Sequence, residues 1–184
     1  MPDHPEPAWI RREHQALLER WRKAMNLVGP GPTDLHFDDS EAVARLLSPA
    51  GRWADLGSGA GFPGVALAAW HPGISVTLVE SRAKRAAFLQ RVVRRCRIPN
   101  ACVFHGRAEA LEAGGWDGVI SRAFARPEAF LAHARRLLTP GGQAVSLLTT
   151  DPPPTPAGMR LDRCLDYSAG GRKRRLAVFS FESE

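Results

Sequence analysis

The chain has 184 residues, enough for one domain of ordinary size with a stable core, and a second full domain is not expected. Its 25 lysines and arginines outnumber its 19 acidic residues, and the formal net charge of +6 favours an anionic partner such as nucleic acid. Three cysteines without zinc-ligand spacing, and no apolar run near the ~18 residues of a membrane span, predict a cytoplasmic protein without a metal site or membrane segment.

Two helices are predicted before the first strand. Apolar residues recur at helical spacing over Trp9–Asn26, and a breaker of alternating glycine and proline follows at residues 29–32. A second helix is predicted over Asp38–Leu47, with Asp39 or Ser40 as its N-cap. We therefore expect residues 1–50 to form a helical extension that packs on the domain formed by residues 51–184.

From residue 52 onward, short apolar runs with strand character alternate with helical patterns. Such alternation predicts an α/β fold with a mostly parallel sheet covered by helices. The predicted strands are Arg52–Leu56, Ile74–Val79, Ala101–His105, Trp116–Ile120 and Gln143–Leu148. The predicted helices are Pro63–Trp70, Ser81–Arg97 and Pro127–Leu138, with a short helical turn at Arg107–Leu111.

The pattern changes after the fifth strand. The segment Asp151–Pro156 holds four prolines, and their missing N–H groups are incompatible with a central strand or a helix interior. Two last strands are predicted over Arg160–Tyr167 and Arg174–Phe181, separated by Ala169-Gly170-Gly171. Because so short a connection joins antiparallel neighbours, we predict a seven-stranded sheet that ends in an antiparallel hairpin.

The segment Trp53–Gly64 joins the first strand to a glycine cluster and then to the start of a helix. Glycine has no Cβ, so its backbone can approach a ligand closely, and the helix offers free N–H groups and the positive end of its dipole. The four glycines of the cluster exceed what a tight turn requires. This segment therefore predicts a cradle for a nucleotide-type cofactor.

Two cofactors remain open at this loop. Gly59–Gly64 satisfies the dinucleotide pattern G-x-G-x-x-G, and Glu80 ends the second strand, where a carboxylate suits the ribose of either NAD or S-adenosylmethionine. The position of Asp55 before the glycines, the lack of a second substrate domain and the terminal hairpin favour the Rossmann-like Class I methyltransferase fold. An NAD-dependent oxidoreductase stays as an alternative.

Three segments carry a resemblance to a known family. They are Asp55–Gly64, Ser81–Leu89 and Asp117–Ala125, of which the last contains Ser-Arg-Ala-Phe-Ala after the fourth strand. The chain resembles, from about residue 17 to residue 181, the bacterial 16S ribosomal RNA guanine-N7 methyltransferases, also called the glucose-inhibited division protein B family. Compared with that family, the segment before the first strand is short, and Leu148-Thr149 stands where a lysine followed by glycine is usual.

The resemblance implies transfer of a methyl group from S-adenosylmethionine to N7 of one guanine in 16S ribosomal RNA, either free or in the small subunit. Guanine N7 carries a lone pair at neutral pH, so no general base is expected. A monomer is expected, and a non-catalytic ribosome-assembly paralogue is the remaining alternative.

The implied catalytic residues are Arg122 and Asn26; a salt bridge to Asp55 or Asp117 is the structural alternative for Arg122. The implied cofactor contacts are Asp55, Gly57, Ser58, Gly59, Gly61, Phe62, Glu80, Ser81, Ala108, Glu109 and Arg122.

Basic residues point to the RNA-binding surface. At ~100° per residue, Lys84, Arg91 and Arg95 fall within a ~40° arc of the helix after the second strand, opposite its apolar residues. A solvated face is the alternative interpretation of this charge. A second basic run opens the last strand. The predicted RNA-binding residues are Lys84, Arg85, Arg91, Arg95, Arg172, Lys173, Arg174, Arg175 and His36.

Overall fold

In the computed structural model, which describes residues 4–122 and 124–182, seven strands form one sheet. They are β1 (Arg52–Leu56), β2 (Ser75–Glu80), β3 (Ala101–His105), β4 (Trp116–Ser121), β5 (Leu138–Leu148), β6 (Met159–Ala169) and β7 (Arg172–Phe181). The spatial order is β3-β2-β1-β4-β5-β7-β6. The first five strands pair in parallel, whereas β7 runs antiparallel to β5 and β6. The predicted α/β class, the mostly parallel sheet and the terminal hairpin are confirmed.

Helices cover the sheet. They are α1 (Pro7–Met25), α2 (Asp34–Leu46), α3 (Gly64–Trp70), α4 (Ala83–Arg95) and α5 (Pro127–Leu137), with a 3-10 turn at Ala108–Ala110. The buried residues Ile10, His14 and Leu18 recur every four positions along α1, so one face of this helix lies on the core. None of the helices within the described residues combines the length and the apolar composition needed to cross a bilayer.

Two hydrophobic clusters cover opposite faces of the sheet, because successive side chains of a strand point to opposite sides. On β1, Trp53 joins one cluster and Ala54 joins the other. The first cluster combines side chains of α1 and α2 with those of α3 and α4, and the second is built on α5. The amino-terminal helices therefore share one apolar core with the helices of the βα units.

Some element boundaries differ from the predicted ones. Helix α2 begins at Asp34 rather than Asp38, because Thr33 directly after the glycine-proline breaker already accepts a hydrogen bond from the N–H of His36 (2.9 Å). Asp39 and Ser40 are consequently buried inside the helix and do not cap it. Helix α4 ends before Arg97, whose left-handed φ of 47° terminates the helical path. Strand β5 begins at residue 138, directly after α5.

Candidate active site

A cavity of about 700 Å³ opens at the carboxyl ends of β1, β4 and β5. The strand order reverses between β1 and β4, and ligands of open α/β sheets bind at such a switch point. The volume is in the range typical of small-molecule sites. Lining residues come from the loop after β1, from α2 and the loop that precedes α2, and from the ends of β4, β5 and β7.

The loop after β1 is packed so tightly that side chains are excluded from parts of it. A Cβ on Gly57, whose φ is +69°, would lie 2.9 Å from the ring of Phe124, and a Cβ on Gly64 would lie 2.4 Å from Leu78. Gly59 differs, because a Cβ there would meet its nearest atom only at 3.7 Å. Close packing thus requires Gly57 and Gly64, whereas Gly59 leaves the cavity open to a ligand.

A buried negative charge lies beneath this loop. The side chain of Asp55 is fully buried, and its Oδ2 accepts a hydrogen bond from the N–H of Gly64 (3.1 Å). Its Oδ1 has no hydrogen-bond partner among the described residues. Burial raises the pKa of Asp55 to about 6, so the carboxylate is mainly ionised at pH 7. The loop therefore has one charged oxygen whose hydrogen-bonding capacity is unused.

Glu80 contacts the other side of the loop. Its Oε2 accepts a hydrogen bond from the N–H of Gly59 (3.1 Å), and its Oε1 accepts one from the N–H of Arg82 (2.8 Å). Each carboxylate oxygen can accept a second hydrogen bond. Glu80 and Asp55 do not line the cavity themselves, but both are buried and hydrogen-bonded to the loop, so they place negative charge behind it.

A histidine from α1 holds the loop in place. Nε2 of the buried His14 lies 2.7 Å from the carbonyl oxygen of Ala60 and donates to it when it carries the proton. The imidazole also stacks on Phe62 at 5.2 Å between ring centroids. Burial lowers the pKa of His14 to about 4, so the ring is neutral at pH 7.

This shift predicts an acid-sensitive fold. Because the folded pKa of about 4 is below the ordinary value of 6.5, the unfolded chain binds a proton that the folded chain does not bind between pH 6.5 and 4. The contribution of His14 to the free energy of unfolding is therefore expected to fall by about 3 kcal/mol as the pH decreases through that window. Urea unfolding of the wild type and of His14→Phe at pH 7, 5.5 and 4.5 measures it as a difference.

The difference between the two proteins is the informative quantity, since other groups titrate in both. The raised pKa of Asp55 acts with the opposite sign, because its unfolded form loses the proton first as the pH rises from 3.8 to about 6. The stability deficit of His14→Phe should shrink as the pH falls. A deficit that is equal at all three pH values would contradict the neutral, buried role of His14.

Arg122, directly after β4, lines the cavity beside the glycine loop. Its guanidinium carbon is 4.8 Å from the ring centroid of Phe62, and Nη1 donates to Oδ2 of Asp39 (3.4 Å). Burial lowers the pKa of Arg122, while the Asp39 carboxylate opposes that shift. The salt bridge is formed with α2 rather than with Asp55 or Asp117, the partners that the sequence offered.

Asp39 connects three distant parts of the chain. The hydroxyl of Tyr167 on β6 donates to its Oδ1 (2.8 Å), and Nε of Arg174 on β7 lies 3.8 Å from the same oxygen. The Asp39 carboxylate is thus paired with two guanidinium groups, those of Arg174 and Arg122. One carboxylate and two guanidinium groups leave a net positive charge at this side of the cavity. The Asp39 cluster, formed by these four residues, positions both arginines.

His36 lies one helical turn before Asp39 and lines the same side of the cavity. Its ring stacks on Phe62 at 5.5 Å between centroids. Burial, together with the nearby charge of Arg122, lowers the pKa of His36, so the imidazole is neutral at pH 7. A neutral imidazole has one donor and one acceptor nitrogen for a ligand.

The predicted RNA-binding residues occupy different environments. Four of them line the cavity, namely His36, Arg85, Arg172 and Arg174. Arg175 instead forms ion pairs with Asp151 and Asp166, which neutralise its charge. Arg95 pairs with Glu13 of α1 at 2.7 Å, so α1 covers part of the predicted basic face of α4. Lys84 and Lys173 are exposed.

Several other predicted residues do not line the cavity. Asn26 ends α1 with a left-handed φ of 49°, and its carbonyl oxygen accepts a hydrogen bond from Arg85 (2.7 Å). Ser81 is exposed beside Glu80. Ala108 is buried, whereas Glu109 is exposed and pairs with Arg107 at 3.5 Å. Gly61 packs against Val65 and His14.

The sequence did not reveal which residues complete the cavity. His14 and Tyr167 contact site residues 46 and 128 positions away, and no local pattern identifies such partners. The only signal for His14 is its place on the apolar face of α1. Further lining residues that were not predicted are Leu27, Val28, Pro30, Pro32, Phe130, Ser146, Thr149 and Thr150.

The fold and this cavity define a Rossmann-like α/β protein with a nucleotide-cofactor loop at its switch point. A family model described as rRNA small subunit methyltransferase G (GidB) matches residues 11–151. The chain belongs to this family, which confirms the resemblance of its motifs. Two relatives named ribosomal RNA small subunit methyltransferase G are 40% identical: that of Halorhodospira halophila over 136 residues and that of Stenotrophomonas maltophilia strain K279a over 137.

These matches cover 72% of the chain, and 65% and 64% of the two relatives, so the chain spans less than two thirds of their length.

Solved structures share the fold. TrmN from Thermus thermophilus has a TM-score of 0.59 at 21% identity, covering 77% of this chain and 48% of that one. A SAM dependent methyltransferase from Aquifex aeolicus has a TM-score of 0.61 at 16% identity, covering 97% and 100%. TYW2 of M. jannaschii, solved in complex with AdoMet, has a TM-score of 0.63 at 14% identity, covering 84% and 79%.

Proposed function

We propose that this protein uses S-adenosylmethionine to methylate guanine N7 in small-subunit ribosomal RNA. The observation that carries the proposal is the placement of charge around one cavity: Arg122 and Arg174 line it, and the carboxylates of Asp55 and Glu80 are hydrogen-bonded to the glycine loop that forms another part of its wall. A cationic cofactor and an anionic RNA need the two opposite environments. Membership of the rRNA small subunit methyltransferase G family supports the same assignment.

The residues of the loop fit this cofactor. S-adenosylmethionine, when bound, supplies an electrophilic methyl group on a positively charged sulfur. The open backbone at Gly59 provides the close approach, and the carboxylate of Glu80 has free lone pairs for ribose hydroxyls. The unpartnered Oδ1 of Asp55 adds negative charge beneath the loop, which favours a cation above it. We place Gly57, Ser58, Phe62 and Arg122 beside the cofactor as well.

The task of the protein in this reaction is orientation. The N7 lone pair attacks the methyl carbon and the electron pair of the carbon–sulfur bond stays on sulfur, so no proton has to be removed. Holding the nucleophile in line and excluding water contributes ~7 to 11 kcal/mol in well-oriented reactions. We propose that Arg122 and Arg174 hold the phosphate or base of the target nucleotide, with His36 beside them.

The proposal includes three further statements. The amino-terminal segment 1–50 and the methyltransferase domain 51–184 act as one unit, supported by the hydrogen bond of His14 to the loop and by the Asp39 cluster. The protein acts as a monomer on 16S ribosomal RNA or the small subunit. It works in the cytoplasm, where that RNA is found.

Calorimetric titration combined with methyl transfer tests the proposal. S-adenosylmethionine is expected to bind in a one-to-one complex, and labelled cofactor with small-subunit particles is expected to modify one guanine, located by mapping the modified base. Binding without transfer would indicate a ribosome-assembly paralogue. Binding of NADH instead of S-adenosylmethionine would indicate an oxidoreductase and overturn the proposal.

A further inference from the structure

A second surface depression lies between α1 and α4, outside the cavity described above. Its volume is about 620 Å³, and its walls come from both helices. The charged residues among its lining are five arginines and one glutamate, which give this groove a net charge of +4. We refer to it as the α1–α4 groove; its lining residues are Glu13, Ala16, Leu17, Arg20, Arg91, Arg94, Arg95 and Arg97.

Most of this positive charge is not neutralised within the protein. Arg95 pairs with Glu13, the one acid of the groove, at 2.7 Å. Within residues 4–122 and 124–182, the other four arginines form no salt bridge. Like charges on neighbouring helices repel one another, so these arginines destabilise the free protein. A bound anionic partner would relieve the repulsion.

Two arginine side chains of the groove are held in place by an aromatic ring. The guanidinium groups of Arg20 and Arg91 both lie over the indole of Trp21, at 5.6 and 5.3 Å from the ring. Stacking on an aromatic ring restricts a long side chain and leaves its N–H donors free to bind an anion. Arginines from two helices are thereby held along one seam with their donors available.

This seam leads to the active site. Helices α1 and α4 run antiparallel, because Arg95 pairs with Glu13 at one end and Arg85 donates to the carbonyl of Asn26 at the other. Arg85 also lines the cavity beside Gly59. From Arg85 to Arg94 the helix rises ~14 Å. A strand of RNA with one nucleotide in the cavity can therefore continue along the seam.

We propose that the α1–α4 groove binds the phosphate backbone of the RNA substrate beyond its target nucleotide. The inference rests on the proposed function for the identity of the RNA. Arg20, Arg91, Arg94 and Arg97 contact phosphates without reading base sequence. The groove therefore adds affinity that is independent of sequence and depends on salt.

The test compares two double variants with the same change of net charge. Arg94→Gln with Arg97→Gln removes two charges from the groove, and Arg160→Gln with Arg163→Gln removes two exposed charges from β6 at the other end of the sheet. Binding to a 16S ribosomal RNA transcript, and to an unrelated transcript of equal length, is measured from 50 to 300 mM salt. Thermal unfolding establishes that both variants are folded.

The groove variant is expected to bind both transcripts roughly 3- to 10-fold more weakly at 100 mM salt, with the slope of log Kd against log salt reduced by about 1.4. The β6 variant should keep the wild-type slope. Equal slopes for all three proteins would overturn the proposal. That is also the result expected if the groove binds an acidic protein instead of RNA. Titration of the wild type with S-adenosylmethionine reports separately on the proposed function.

Discussion

Replacing Arg122 by alanine is expected to lower kcat/KM for methyl transfer to small-subunit RNA by roughly 100- to 1,000-fold. Arg122 belongs to the Asp39 cluster and lies over Phe62 of the glycine loop in the cavity wall, so its loss removes a positive charge beside both proposed ligands. It also leaves the buried Asp39 with fewer charged partners. Transfer is measured with labelled S-adenosylmethionine and small-subunit particles, and folding is followed by thermal unfolding.

Arg122→Lys is the informative companion variant. Lysine keeps the positive charge but loses the planar, forked guanidinium that stacks on Phe62 and pairs with Asp39. We expect it to recover stability more fully than transfer. If alanine and lysine both transfer methyl groups at the wild-type rate, Arg122 has no part in the reaction, and the site proposed for RNA must lie elsewhere.

Replacing Glu80 by alanine is expected to weaken binding of S-adenosylmethionine about 10- to 100-fold, the effect of losing a charged hydrogen-bond partner worth ~1.5 to 3 kcal/mol. The carboxylate orders the loop through the N–H of Gly59 and offers its remaining lone pairs to the ribose. Calorimetric titration measures the dissociation constant. Both the loss of order in the loop and the loss of the ligand contact act in the same direction.

Two controls separate these contributions. Glu112→Ala removes an exposed carboxylate from the end of the 3-10 turn region and should bind the cofactor like the wild type. Glu80→Gln keeps the size of the side chain and one acceptor for the loop N–H groups, so it should be more stable than the alanine variant while still binding the cofactor weakly. Wild-type affinity in Glu80→Ala would place the cofactor away from this loop.

Much of the fold was predictable because its signals are local. Strands β1, β2 and β4 are runs of mostly buried side chains, and their alternation with helices predicts the parallel sheet. The cofactor loop was predictable for the same reason, since Gly57 and Gly64 lie next to the strand and helix that need them. The start of α2 was misplaced because Asp39 and Ser40 have side chains typical of an N-cap, whereas the helix begins after Thr33, whose side chain makes no capping hydrogen bond.

The charged half of the site was less predictable. The sequence marked Arg122 and the basic run of β7, but a list of basic residues does not distinguish a free charge from a neutralised one. Arg174 lines the cavity beside Asp39, whereas the next residue, Arg175, pairs with two aspartates on the other face of the strand. Adjacent residues of a strand point to opposite faces, so one step along the chain changes the environment completely.

The sequence by itself determined the α/β class, the glycine loop, the family and the excess of basic charge, because each depends on residue type and short-range spacing. Only the tertiary structure decided that His14 supports the loop, that Asp39 joins Arg122 to Tyr167, and that two helices form an arginine groove. The contacts of Asp39 span 83 and 128 residues of sequence. Such contacts form only when the folded sheet brings the amino-terminal helices and the terminal hairpin together beside the cavity. No local sequence pattern predicts them.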